Sequence, residues 1–227
     1  DVWTTKLMYN RAVRMPSPLA ALNAAWGVAN PTAPDWADDW PLAERPEKLS
    51  TVEWVNALSV GRGGVSLVLY HQELKDYISW VGPHSNVGEF RGEGAEVSVG
   101  YDLFDHFGVW GNATYLDATF DAYSSGGESL HVQADTDNRL IGSPRMTANA
   151  GFDLDVTRSV LFSTALRYFT KQSAKATPGA SVDDSASFET IDDQYYLDAT
   201  LTFRDVVYEG LDFRLAGKNI LDNRDYV

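Results

Sequence analysis

Hydrophobic and polar residues alternate with a period of two along several stretches of the chain. In one stretch, the apolar residues Leu197 and Leu201 occupy odd-numbered positions, while the polar residues Asp198 and Thr200 occupy even-numbered ones. Successive side chains of a β-strand point to opposite faces, so this pattern predicts strands with one apolar and one polar face. Over the whole chain the pattern predicts nine strands, at 3–13, 48–60, 64–78, 88–102, 107–120, 143–155, 158–170, 194–204 and 209–220.

The connections between these strands alternate in length. The short ones are 61–64, 103–106, 156–157 and 205–208. The long polar ones are 14–47, 121–142 and 171–193, with 80–87 the shortest of this set. Strands of about 10–15 residues exceed the usual 5–6 of globular sheets and suit a tilted membrane-spanning strand. The layout favours an all-β fold, an antiparallel transmembrane β-barrel with short periplasmic turns and long extracellular loops, over a soluble all-β domain.

Composition narrows the function without contradicting this fold. The chain has 227 residues and a mean hydropathy of -0.26, and no run approaches the roughly 20 apolar residues of a membrane helix. A membrane barrel keeps its mean hydropathy low because lipid-facing and lumen-facing residues alternate. The formal charge of -14 argues against a nucleic-acid partner, since phosphates repel such a surface. The absence of cysteine excludes disulfides and thiolate metal sites.

Six short elements resemble, in order, those of TonB-dependent outer-membrane receptors. They resemble the family patterns "R-x-x-R-x-P-S", "L-x-P-E", "R-x-x-G-x-E", "Y-L-D-A-x-F", "G-x-P-R" and "N-L-L-D-x-x-Y". Each element alone is weak, but six in the family's order across residues 10–226 are specific. The family motif residues are Arg11, Arg14, Pro16, Pro46, Glu47, Gly94, Glu96, Pro144, Arg145, Asn219, Leu221, Asp222 and Tyr226.

The resemblance implies that residues 1–227 are the C-terminal portion of a receptor barrel of about 22 strands. An N-terminal plug domain with a TonB box, and one last strand, would complete it, because nine strands with open edges cannot close in lipid. The implied function is active import of a scarce nutrient across the bacterial outer membrane, most naturally a ferric siderophore or similar metal chelate. The implied partners are TonB with ExbB and ExbD, outer-membrane lipid and lipopolysaccharide, and the small nutrient.

Two outer connections carry candidate ligand-binding residues. Aromatic faces suit a ring-bearing chelate, and carboxylates suit its cationic groups. The alternative is an interfacial aromatic belt with acidic loops that meet lipopolysaccharide through divalent ions. The candidates are Trp26, Trp36, Asp38, Asp39 and Trp40 in the first long connection, and Trp80 and His84 in the next.

A second set of charges is expected to face the barrel lumen, opposite the apolar positions of the same strands. A lone charge in a restricted lumen is costly, so these residues should pair across the wall or meet the plug. They are Glu96, Asp153, Arg167, Asp198, Arg204, Arg214 and Lys218.

Neither catalysis nor a metal centre is predicted. The 4 histidines lie far apart, with no metal-ligand spacing, and no cofactor is indicated. No Gly-x-Ser-x-Gly element occurs, and paired carboxylates such as Asp38 and Asp39 are better explained as loop charges. Two alternatives to the receptor stay open: a passive outer-membrane porin or channel, and a soluble all-β carbohydrate-binding protein or hydrolase.

Overall fold

The computed structural model describes residues 1–16, 45–78, 86–122, 139–175 and 188–223. Among these residues, no helix is long and apolar enough to cross a membrane. The described residues form eleven strands: β1 (Val2–Arg14), β2 (Glu47–Val60), β3 (Gly63–Ile78), β4 (Asn86–Phe104), β5 (Phe107–Ala122), β6 (Met146–Thr157), β7 (Val160–Phe169), β8 (Gln172–Lys175), β9 (Phe188–Ile191), β10 (Gln194–Phe203) and β11 (Phe213–Gly217).

Nine of these strands form one sheet, in the order β1-β2-β3-β4-β5-β6-β7-β10-β11. Every neighbouring pair is antiparallel, so the chain runs up and down through the sheet with local connections. β8 and β9 pair only with each other, as a separate two-stranded ladder that continues beyond β7 and β10. The prediction of an all-β antiparallel fold with nine sheet strands is confirmed; within the described residues the sheet does not close.

Three predicted boundaries were wrong. The stretch 171–193 was predicted as a long polar connection with no strand in it, but its two ends pair as β8 and β9. The strand predicted at 209–220 forms a ladder only from Phe213 to Gly217, since Asp205 and Gly210 take positive φ of 54° and 85° and turn the chain before it. The strand predicted from residue 143 begins at Met146, just after Pro144, which has no amide hydrogen to donate.

The register divides the sheet into two faces, because directly opposed residues of antiparallel strands point the same way. We call them the apolar face and the polar face. One row across the apolar face is Leu67, Val97, Ala113, Ala148, Tyr168 and Tyr195. The adjacent row across the polar face is Ser66, Ser98, Asn112, Asn149, Arg167 and Tyr196.

The sheet encloses very little apolar core. Among the described residues, only Ile78, Ala118 and Phe120 are buried hydrophobic side chains. On the apolar face, by contrast, Val99 is 51% exposed and Leu215 is 57% exposed. An apolar surface of this extent is unfavourable in water and stable against lipid or another protein.

Candidate functional site

The seven candidate ligand residues, Trp26, Trp36, Asp38, Asp39, Trp40, Trp80 and His84, lie outside the described residues. The strand ends that carry these connections are described, and we call this end of the strands the outer end. The short turns at 61–62, 105–106 and 158–159 lie at the opposite end of the strands. Among the described residues, several groups of specific polar contacts lie at the outer end.

A buried carboxylate joins three strands at the outer end. Glu47, which opens β2, is 4% exposed. Its Oε1 atom accepts hydrogen bonds from the Arg14 guanidinium at the end of β1 and, at 2.7 Å, from the amide of Ile78 at the end of β3. Arg14 and Glu47 belong to separate motif elements, with Pro16 and Pro46 beside them. The structure therefore brings the first two elements together as one ion pair.

A second buried carboxylate lies beside the first, on a bulge of β3. Asp76 is 6% exposed and has a φ of 59°, where the pairing of β3 with β4 shifts register. Its carboxylate is 3.0 Å from the Arg45 guanidinium, and its carbonyl accepts a 2.6 Å bond from the Asn86 side chain. Asn86 also bonds the backbone of Arg45 in both directions, at 3.0 and 2.9 Å.

These contacts hold the ends of connections 17–44 and 79–85 against each other. Arg45 and Glu47 follow the first connection, Ile78 precedes the second, and Asn86 follows it. Asp76 and Asn86 were not predicted from the sequence, because a bulge leaves no period-two signal. An Asp followed several residues later by an Asn is not informative without the fold.

Two further motif elements meet between β5 and the segment before β6. The Arg145 guanidinium is 3.2 Å from the Asp117 carboxylate. The Arg145 carbonyl accepts a 2.8 Å bond from the amide of Leu116. Pro144 directly precedes this contact, so the "G-x-P-R" element fixes the entry of β6 against the "Y-L-D-A-x-F" element of β5.

The last motif element forms a turn on the end of β10. Asn219 takes a φ of 48°, and its amide donates a 2.8 Å bond to the Asp198 carboxylate, which also accepts from Arg167 at 3.0 Å. The Asn219 side chain bonds the backbone of Asn223 at 2.9 and 3.2 Å. Of the remaining motif residues, Leu221 is half exposed, Asp222 donates its amide to the Asn219 carbonyl, and Tyr226 lies outside the described residues.

The register places most of the predicted lumen charges on the polar face. Glu96, Asp153, Arg167, Asp198 and Arg214 share it, while Arg204 and Lys218 directly follow β10 and β11. Four of them find partners within the sheet: Arg167 and Asp198 pair with each other, Asp153 accepts from the Ser163 hydroxyl, and Arg204 pairs with Asp155 at 3.2 Å. Glu96 makes no ion pair with any described residue.

Gly94, a motif residue, lies beneath an aromatic ring on the polar face. Tyr70 stands directly opposite it on β3. A Cβ added at Gly94 would lie 2.3 Å from the Tyr70 ring and 2.5 Å from the Tyr115 carbonyl oxygen. Trp110 covers Gly151 in the same way on β5 and β6. The glycines let flat rings lie against the wall and take the space of the missing side chains.

The base of the β8–β9 ladder is held by Asp193. Its carboxylate accepts a 2.7 Å bond from the Tyr168 hydroxyl and a 2.8 Å bond from the Lys171 amide. These two hydrogen bonds favour the ionised form and hold the pKa of Asp193 below its usual range. The ladder also accepts a 2.8 Å bond from the Gly142 amide at the Ser173 carbonyl, which links it to the entry of β6.

The structure gives the chain no grouped metal ligands within its described part. His71 lies between two carboxylates, 3.0 Å from Glu93 and 3.6 Å from Glu73, on the apolar parity of β3 near the outer end. His106 stacks on Phe104 in a short turn, with ring centroids 5.9 Å apart.

Comparison with known proteins supports the same fold. A family model described as "TonB dependent receptor-like, beta-barrel" matches residues 1–220. The ferric-catecholate import receptor Fiu from E. coli K12 has a TM-score of 0.67 and 21% identity, over 97% of this chain and 29% of that one. The FrpB iron transporter from Neisseria meningitidis has a TM-score of 0.66 and 13% identity, over 97% of this chain and 33% of that one.

A third solved structure, the ferripyoverdine receptor of the outer membrane of Pseudomonas aeruginosa, has a TM-score of 0.62 and 11% identity. The match covers 97% of this chain and 27% of the ferripyoverdine receptor. The chain therefore spans about a third or less of the length of each of these three proteins. No curated protein sequence matches the chain. The structures establish a shared fold, and the family model covers nearly the whole sequence: the chain belongs to the TonB-dependent receptor-like β-barrel family.

Proposed function

We propose that this chain forms part of the barrel wall of an outer-membrane receptor that imports a scarce nutrient with energy from TonB. The observation that carries the proposal is the family match over residues 1–220, together with a nine-stranded antiparallel sheet that has one apolar and one polar face. The apolar face would contact lipid, since a bilayer requires every strand to be paired and its outer face to be apolar.

In this proposal the polar face lines the lumen and contacts a plug domain. Arg167 and Asp198 neutralise each other within the wall, whereas Glu96 has no ionic partner among the described residues. A charge of this kind in a narrow lumen is stabilised by a partner of opposite sign. Glu96 would therefore contact a basic residue of the plug. The final strand and the TonB box would belong to the complete receptor.

The nutrient is proposed to be a ferric siderophore or a similar metal chelate. The names of the three similar structures refer to ferric catecholate, iron and ferripyoverdine, which favours this class. We propose that Trp26, Trp36, Trp40 and Trp80 offer aromatic faces to the chelate. Asp38, Asp39 and His84 would contact its polar groups.

Uptake by cells expressing the full-length receptor tests this function. First, iron limitation should induce the protein, and the purified receptor should bind the chelate supplied under that limitation. Cells with the receptor and TonB should then accumulate labelled chelate, while cells lacking either should not.

Three outcomes would contradict the proposal. Equal uptake without TonB would indicate a passive channel. Failure to bind any chelate would remove the substrate class. Full-length protein that stays soluble without detergent, and shows no heat-modifiable migration on a gel, would exclude a membrane receptor and favour a soluble carbohydrate-binding protein.

A further inference from the structure

Two connections leave the outer end from neighbouring strands that are linked covalently only at the opposite end. Connection 17–44 leads into β2, connection 79–85 follows β3, and the turn at 61–62 joins these two strands. The ladder between β2 and β3 ends at Lys48 and Lys75. Among the described residues beyond this pair, side-chain contacts take over from ladder bonds in holding the two connections together.

Five residues make these contacts, and we call them the outer joint: Arg45, Glu47, Asp76, Ile78 and Asn86. The Asn86 side chain accepts a 3.0 Å bond from the Arg45 amide, and it donates at 2.9 Å to the Arg45 carbonyl and at 2.6 Å to the Asp76 carbonyl. The Asp76 carboxylate is 3.0 Å from the Arg45 guanidinium. Glu47 accepts a 2.7 Å bond from the Ile78 amide. All of these bonds except that between Asn86 and Asp76 cross from one connection to the other.

The outer joint is largely buried, unlike most of the sheet. Glu47, Asp76 and Ile78 are 4%, 6% and 3% exposed. The ring of Phe120, which is also buried at 4% exposure, makes a T-shaped contact with the Tyr77 ring at 6.1 Å. A buried polar group that loses its partner is left with an uncompensated desolvation cost, so the contacts of the outer joint are expected to break together rather than singly.

The last ladder pair needs the outer joint as well. Lys48 and Lys75 stand directly opposite each other, and opposed like charges repel. Asp76 lies beside them on the bulge, with its carboxylate 3.8 Å from the Lys48 ammonium. The same carboxylate therefore offsets the lysine repulsion and binds Arg45, which ties the end of the ladder to the start of the connections.

We propose that the outer joint makes connections 17–44 and 79–85 one unit in ligand binding, with Arg45, Asp76 and Asn86 as positioning residues. A chelate held by either connection would then stabilise the ends of both, because neither end can be displaced without breaking the shared contacts. The proposal rests on the proposed function, which assigns the ligand residues to these connections.

The test follows amide hydrogen exchange in residues 47–48 and 76–78, at the ends of the two connections, in the purified full-length receptor in detergent. The probe is a ferric tris-catecholate, supplied at about 100 times its Kd. A ligand that binds only the closed form slows every amide that exchanges through the same opening by one factor, which is about 100-fold at this concentration. We expect that equal slowing at both ends of the unmodified receptor.

Asn86→Ala removes the three bonds of the Asn86 side chain and should separate the two ends. The chelate should then slow exchange about 100-fold at one end and much less at the other. Asp76→Asn is the second variant, because asparagine also tolerates the positive φ of 59° and keeps the carbonyl that binds Asn86. It should give a smaller inequality. Arg45→Lys keeps the charge opposite Asp76 and should behave as the unmodified receptor.

Two matched controls remove similar contacts elsewhere. Asn112→Ala deletes an amide side chain that bonds Asn149 at 2.8 Å on the polar face. Asp117→Asn deletes an ion pair of 3.2 Å with Arg145, at the outer end but between other strands. Both should preserve equal slowing at the two ends. Heat-modifiable migration verifies that each variant has folded.

A measurement without ligand tests the outer joint by itself. Asn86 makes no bond to the Ile78 amide, yet Asn86→Ala should accelerate exchange there at least about tenfold if the contacts open as one unit. The controls should leave it unchanged. Unchanged exchange at Ile78 in Asn86→Ala would overturn the proposal, and so would equal slowing of both ends by the chelate in that variant.

Nutrient uptake is measured on the same proteins. A receptor that imports its chelate, but whose two ends are slowed to different degrees without any substitution, would refute this inference and leave the proposed function intact. A receptor that neither binds nor imports a chelate would refute the proposed function and the positioning role with it. In that case accelerated exchange at Ile78 would still show that the outer joint links the two ends.

Discussion

The side chains on the two faces of the sheet are stabilised in different ways. Along the apolar face the side chains are exposed and make few specific contacts, as for Leu7, which is 75% exposed. Along the polar face, ion pairs, amide bonds and ring–glycine contacts are frequent, for example between Arg167 and Asp198 and between Asn112 and Asn149. The apolar face therefore depends on its surroundings for its stability, whereas the polar face is stabilised by contacts between residues of the sheet itself.

The largest effect is expected when a charge is placed on one face or the other. Leu201→Arg puts a cation on the apolar parity of β10, where a lipid environment would cost about 2–4 kcal/mol near the midplane. Thr200→Arg, one residue away, puts the same cation on the polar face. We expect the first variant to insert poorly into the outer membrane and the second to insert normally. Heat-modifiable migration of membrane extracts measures both.

Leu197→Arg repeats the test four residues nearer the outer end and should behave like Leu201→Arg. If Thr200→Arg impaired insertion as strongly as the two leucine variants, the assignment of the faces would be wrong.

A smaller effect is expected where the polar face depends on close packing. Gly94→Ala would place a methyl group 2.5 Å from the Tyr115 carbonyl and against the Tyr70 ring, so the ladder has to shift. Overpacking of this kind costs about 1–3 kcal/mol. Gly100→Ala is the control on the same strand and face, with no atom within 4 Å of the added carbon. Urea unfolding of the full-length receptor in micelles measures both.

Loss of stability in Gly94→Ala alone would show that the ring–glycine contact is specific. Equal loss in both variants would mean that β4 tolerates no side chain at either position, whatever the neighbouring ring.

The contrast between the faces also explains what the sequence could predict. Period-two alternation marks a strand whose two faces have different surroundings. The nine sheet strands were therefore readable, and so was the facing of the four in which alternation is clearest, including Leu197 against Asp198. β8 and β9 have only four residues each and no alternation, so they were missed. Asp76 was missed because its bulge depends on the register with β4, which is a long-range property.

The motif residues add what alternation cannot. Arg14 and Glu47 were singled out by resemblance alone, with no indication that they touch. The fold shows that they form an ion pair 33 positions apart in the chain. Contacts of this kind are invisible in the sequence because long connections separate the partners, whereas the strand pattern is local.

Removing the charge of Glu47 tests whether that ion pair orders the outer end. Glu47→Gln retains an oxygen for the Ile78 amide but loses the charge that attracts Arg14. Because Arg14 is 44% exposed, we expect a loss of only about 1 kcal/mol. Hydrogen exchange at the Ile78 amide should accelerate about fivefold, the factor that corresponds to this free energy.

Glu53→Gln is the matched control, since Glu53 lies on the same strand and the same face and makes no ion pair with any described residue. Unchanged exchange in Glu47→Gln, or equal acceleration in Glu53→Gln, would show that the Arg14–Glu47 pair does not hold Ile78.

The smallest effect belongs to Asp193, which accepts a hydrogen bond from the Tyr168 hydroxyl near the outer end of β7. The pKa of Asp193 is lowered by its bond from Tyr168 and then by that from the Lys171 amide. A depressed carboxyl pKa contributes stability above the unfolded pKa and loses it as the pH falls through the folded pKa. Protection of the Lys171 amide from hydrogen exchange, corrected for intrinsic rates, should therefore be constant near neutrality and decline below about pH 4. Asp193→Asn should abolish this decline and lower protection at neutral pH, while Asp192→Asn should match the unmodified chain. A decline that persisted in Asp193→Asn would assign it to another carboxylate, and would contradict the role of Asp193 at the base of the β8–β9 ladder.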